Sequence, residues 1–109
     1  MPLQFLDFDL SEDTSGLRTW DALASPGAVH SAALLQETEA LLQHLVQELG
    51  PAGPVDEGHR WDMDLQIQDA TGQSLDLTAS TPATGRITLA LSLSGQAELA
   101  RCLSHWIAL

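Results

Sequence analysis

Apolar and polar positions along the chain switch between two periods, and the switches mark the elements. Residues 3–10, Leu-Gln-Phe-Leu-Asp-Phe-Asp-Leu, alternate imperfectly and predict a short strand. In that strand Leu6, Phe8 and Leu10 face inward and Asp7 and Asp9 lie on the other side. Residues 11–26 carry Ser, Asp, Thr, Gly and Pro and read as a long connection, with one helical turn at Trp20-Asp21-Ala22-Leu23. A helix follows, opened by Ser25 as N-cap with Pro26 at the first helical position and stopped by Gly50-Pro51. At about 100° per residue, Leu34, Leu35, Leu41, Leu42, Leu45, Val46 and Leu49 fall within an arc of roughly 140°. Gln36, Glu37, Glu39, Gln43, Gln47 and Glu48 lie outside that arc.

Beyond a Pro/Gly loop over 51–58 the period changes to two. Trp61, Met63, Leu65 and Ile67 alternate with Asp62, Asp64, Gln66 and Gln68. Asp69-Ala-Thr-Gly-Gln73 reads as a hairpin loop, after which Leu75, Leu77 and Ala79 alternate with polar neighbours. A second turn over 80–85 leads to a third strand, Ile87, Leu89, Leu91 and Leu93. Ser94 or Gly95 then opens a second helix, with Leu99, Ala100, Leu103, Trp106 and Ile107 on one face. The predicted order is β-α-β-β-β-α in one domain spanning 1–109. Strands with one oily and one polar face are covered most economically by placing both helices on the oily side. The expected fold is therefore α+β: a two-layer sandwich, with a mainly antiparallel four-stranded sheet, two helices on one face and a polar, open second face.

Charge sharpens this picture. The 109 residues hold 15 acids against 4 basic side chains, all arginine, for a net charge of −11. Residues 1–64 carry net −10 and residues 65–109 net −1. A chain without lysine and so acidic lacks the cations of a P-loop nucleotidase, a Schiff-base enzyme or a nucleic-acid binder. The polar sheet face also lacks the aromatics on which RNA bases stack. No basic, apolar leader and no membrane-length apolar run is present, and the single Cys102 has no disulfide partner, so a cytoplasmic, bacterial-type protein is expected.

Asp7-Phe8-Asp9-Leu10-Ser11, after an apolar strand, resembles the first motif of the haloacid-dehalogenase-type phosphotransferases. The resemblance would make Asp7 a nucleophile and Asp9 an acid/base. That family also requires a downstream cation, usually lysine, a further magnesium-binding acidic pair and a much longer α/β fold. This chain has no lysine and too few residues, so the phosphatase reading is set aside and the two acids are read as outward strand positions. His44 with Glu48 at i, i+4 has metal-chelating spacing but no third ligand. Cys102 flanks the buried arc of its helix while His105 is on the wet side, so they do not form a nucleophile–base pair.

What remains is collective. Asp7, Asp9, Asp62 and Asp64 are expected to project from the open face, and Arg18, Trp20, Asp21, Asp56, Glu57, His59, Arg60 and Trp61 occupy loops or their edges. Arginine and tryptophan are the residue types that anchor interfaces, although Trp61 and Trp20 also fit a buried role. The expected function is a small acidic, non-enzymatic interaction protein (adaptor, chaperone-like or inhibitor) that binds a basic or Arg-rich protein partner through its acidic face, with no cofactor. The alternative is a small enzyme or enzyme subunit using carboxylates and a loop histidine such as His59 as acid/base groups, with or without a divalent metal. Leucine-rich sheet edges offer a route to a symmetric homodimer.

Overall fold

The computed structural model describes residues 3–75 and 85–106. Its elements run β1 (Phe8–Glu12), β2 (Arg18–Ala24), a 3-10 turn (Ala28–His30), α1 (Ser31–Leu49), a second 3-10 turn (Val55–Glu57), β3 (Trp61–Gln68), β4 (Thr88–Gly95) and α2 (Ala97–Leu103). The strands form one antiparallel sheet in the order β1-β2-β4-β3, and the fold is α+β with two helices, as expected.

The second strand of the sheet is not where the sequence pattern puts it. Residues 18–24 form β2, where a connection with a helical turn at Trp20–Leu23 is expected. The reason is packing: Trp20, Ala22 and Ala24 alternate into the core while Asp21 and Leu23 face solvent. Of the strand expected over 74–79, Ser74 bridges to Gln68 and the Leu75 N–H donates to the Ile67 carbonyl at 2.8 Å. Residues 76–79 lie outside the described residues, as does Ile107. Because β4 pairs directly with β3 on one side and β2 on the other, the expected succession of neighbouring hairpins is replaced by a crossover.

One apolar cluster joins β2, β3 and β4 to both helices, with Phe8 of β1 packed against it. Trp20, Ala22 and Ala24 of β2, Trp61 and Ile67 of β3, and Leu89, Leu91 and Leu93 of β4 pack with Leu34, Leu41 and Leu45 of α1 and Leu99 and Leu103 of α2. Both helices therefore cover the same side of the sheet. Val46, inside the predicted apolar arc, is 47% exposed. Ser25 does not cap α1: its hydroxyl pairs with Thr88 at 3.2 Å and accepts from Arg86 Nε at 3.2 Å, and the chain enters α1 through the 3-10 turn.

The ends of the layers are fastened by polar groups. The Trp61 indole donates to the Gly50 carbonyl at 2.8 Å, tying the end of α1 to the start of β3. The Glu37 carboxylate accepts from the successive N–H groups of Gln4, Phe5 and Leu6, holding residues 4–6 against α1. Leu6 is buried in the core there, while Leu10, although on the helix side of β1, is 50% exposed because the sheet ends at that strand.

Candidate functional site

The open face is built by strand alternation. On it stand Asp9 and Ser11 of β1, Thr19, Asp21 and Leu23 of β2, Ala90, Ser92 and Ser94 of β4, and Asp62, Asp64 and Gln66 of β3. These are the positions between the core-facing residues. Register turns the acids into a row: Asp9 lies opposite Asp21, Asp21 opposite Ser92, and Ser92 opposite Asp64. A parallel row runs through Ser11, Thr19, Ser94 and Asp62, with the Thr19 and Ser94 hydroxyls 3.5 Å apart.

Asp9, Asp21 and Asp64, with Leu23, Gln66, Ala90 and Ser92, line a concavity of about 370 Å³ on this face. Asp9 and Asp21 stand on one side of it and Asp64 on the other, with the small Ala90 and Ser92 of β4 between. Leu23, 71% exposed, gives the face an apolar edge beside Asp21. Carboxylates on such a surface can accept hydrogen bonds from guanidinium or ammonium groups, and the small side chains between them leave space for the stems of those groups.

The sequence-expected acids are therefore only partly brought together. The strands bearing Asp9 and Asp64 are the two outer strands of the sheet, so a direct like-charge clash between them does not arise. The acid opposite Asp9 is Asp21, which the sequence pattern groups with Arg18 and Trp20 in a connection rather than on the open face. Asp62 accepts the N–H of Met63 at 2.8 Å and sits half-buried in the second row. Asp7 is exposed, one residue before β1.

Other expected contributors stand elsewhere. Trp20 is 1% exposed and belongs to the core, so it is not a surface anchor; its ring is large enough to fill the space beneath the helices. Arg18 pairs with Glu12 across the first hairpin, Nε to carboxylate 3.8 Å, so its charge is turned toward its own strand pair. Asp56 and Glu57 are exposed in the 3-10 turn before β3. His59 is half-buried, with its Nδ1 3.3 Å from the Pro51 carbonyl and its ring against Gly53. These loop residues lie at the end of the sheet where Trp61, Gly95 and Arg18 align, rather than in the acidic row.

Among the described residues no three His, Cys, Asp or Glu side chains come together in a way that could hold a metal ion. The His44 ring stacks edge-on against Trp106 at 5.6 Å and lies 6.4 Å from His105, at the contact between α1 and the end of α2. Burial, reinforced by the negative charge of Glu48, pushes the Cys102 thiol pKa up, away from a reactive thiolate. No helix among the described residues is long and apolar enough to cross a membrane. Comparison with protein-family models, with curated proteins and with solved structures gives no match, so the arrangement of this chain's own residues carries the functional reading.

Proposed function

We propose that the protein is a small acidic interaction module, not an enzyme, that binds a basic, Arg-rich protein segment on the open face of its sheet. The observation that carries this reading is the row Asp9–Asp21–Ser92–Asp64, which crosses all four strands and lines the concavity. An acidic surface of this kind steers cationic partners and fixes their register. Natural sheets avoid opposing like charges, because each such pair costs a few tenths to about 1 kcal/mol. Asp9 opposite Asp21 is therefore a local cost that a cation on the face would relieve. The setting proposed is the cytoplasm, in keeping with a lone, half-buried thiol.

The test is a titration with a short peptide alternating arginine and valine. Removing two charges from the face (Asp21→Ser with Asp64→Ser) should weaken binding roughly tenfold or more. Removing two exposed charges from α1 (Glu39→Ser with Glu48→Ser) should change it little. Equal weakening by both pairs would show that the peptide responds to net charge alone and would remove the face from consideration.

A further inference from the structure

The acidic row ends at a strand whose outer side carries no paired strand among the described residues. β1 is terminal in the sheet, and Asp9, Leu10, Ser11 and Glu12 are all exposed. The turn decides which of its backbone groups point outward. The Asp13 N–H donates to the Leu17 carbonyl at 2.9 Å, and opposed pairs in an antiparallel ladder alternate between bonded and non-bonded. Stepping along the register, Ser11 with Thr19 and Asp9 with Asp21 are bonded pairs. Phe8, Leu10 and Glu12 consequently present their N–H and C=O groups to the outside.

The opposite edge is not equivalent. On the outer side of β3 the Leu75 N–H already reaches the Ile67 carbonyl at 2.8 Å, and Ser74 bridges to Gln68. Unpaired backbone, an exposed Leu10 and the end of the acidic row thus coincide at β1.

Resting on the reading of the acidic face, we infer that the β1 edge takes up its basic partner segment as an added strand, extended and antiparallel to Phe8–Glu12. Backbone bonds to Leu10 and Glu12 supply the affinity of strand addition, and alternate side chains supply selectivity. Partner residues on the open side sit beside Asp9 and within reach of Asp21, one strand further in, and are cations. Partner residues on the helix side sit beside Leu10 and are apolar. Charge selects this occupant over a second copy of the chain. Asp7, Asp9, Glu12, Asp13 and Asp21 surround the edge, and the cation among them, Arg18, is paired with Glu12. A copy carrying the same acids at the same edge, on a molecule of net charge −11, would oppose them.

The experiment is amide hydrogen exchange on the full chain with the arginine–valine peptide and with a counterpart N-methylated at its valines. In the added strand the valine N–H groups are the ones that face β1, so methylation removes the backbone bonds and keeps every charge. With the unmodified peptide, the N–H groups of Leu10 and Glu12 should slow markedly, while those of Asp9 and Ser11, already bonded to β2, change little. The methylated peptide should bind about tenfold more weakly or worse. Leu10→Pro, which deletes an outward N–H without touching the β1–β2 ladder, should have the same effect on the unmodified peptide. Equal binding of both peptides, with no protection at Leu10 and Glu12, would overturn strand addition and leave the acidic-face reading standing. Binding of neither would overturn both. A chain that sediments as a dimer by itself, with Leu10 and Glu12 already protected, would assign the edge to a second copy and overturn the inference.

Discussion

Two aspartates do the same local work at opposite ends of the sheet. Asp13 accepts from the Ser15 hydroxyl at 2.7 Å, the Ser15 N–H at 2.8 Å and the Leu17 N–H at 3.0 Å. Asp69 accepts from the Thr71 hydroxyl at 2.6 Å, the Thr71 N–H at 2.9 Å and the Gln73 N–H at 3.0 Å. Both loops read Asp-x-Ser/Thr-Gly, and Gly16 and Gly72 take φ of +90° and +87°, where a side chain would be strained. The hydroxyl bonds first, and the backbone N–H bonds with them, hold both carboxyl pKa values below the ordinary one. A depressed folded-state pKa means stability that is present above the unfolded value and lost as pH falls through the folded value. Acid titration of Asp13→Ala with Asp69→Ala should therefore show a deficit against wild type that is full at neutral pH and shrinks in strong acid. A constant deficit would mean that the loops are held by shape rather than by charge. The two core tryptophans make a second comparison. Trp61 Nε1 donates to Gly50, whereas buried Trp20 Nε1 has no acceptor among the described residues. Trp61→Phe should cost about 1 kcal/mol more than Trp20→Phe in denaturant unfolding, because only the former breaks a bond and strands a carbonyl.

At the scale of elements, the junction between β4 and α2 is set by closeness. A Cβ on Gly95 would fall 2.8 Å from Leu99 Cβ and Cδ2 and 3.3 Å from the Arg60 carbonyl. Gly95→Ala should destabilise the fold by about 1–3 kcal/mol through overpacking, read by chemical denaturation, and Leu99→Ala in the same chain should recover part of that loss. Elements whose periods are long and clean, namely α1, β3 and β4, are legible in the sequence, although α1 begins at Ser31 rather than at Pro26 because a 3-10 turn precedes it. β2 is not, because its inward positions after Trp20 are only Ala22 and Ala24, and Leu23 breaks the pattern on the wet side. The signal that could have exposed it is the loop before it: Asp13-Thr-Ser-Gly repeats the chemistry of Asp69-Ala-Thr-Gly, which does read as a hairpin turn. The candidate site follows the same division. Asp9, Asp62 and Asp64 are visible as outward strand positions, but Asp21 is hidden with its strand. The row exists only through a strand order that no local pattern encodes.

For the whole molecule, stability and binding are expected to pull apart at Asp21. Replacing it with threonine removes the carboxylate opposite Asp9 and adds a β-branched residue to a strand, so Asp21→Thr should raise stability by about 0.5 kcal/mol in thermal or urea unfolding. The same variant should weaken binding of the basic peptide. A variant less stable than wild type would mean that the two acids do not oppose each other in solution. The centre of the sheet carries a different consequence. β2 pairs with β4 from Arg18 opposite Gly95 to Ala24 opposite Leu89, so its middle seam joins residues from near the two ends of the chain. The first hairpin can form locally and early, but that seam must wait for a loop of more than sixty residues to close, a step whose entropic cost grows with the logarithm of the loop length and slows folding. During synthesis the strongly acidic first half, net −10 over residues 1–64, emerges before β4, so the first hairpin can set Asp9 opposite Asp21 but Asp64 joins the row only when β4 arrives. A single cut in the loop over residues 50–60 should therefore leave a functional protein only while both pieces stay associated, and neither fragment alone should possess the acidic row.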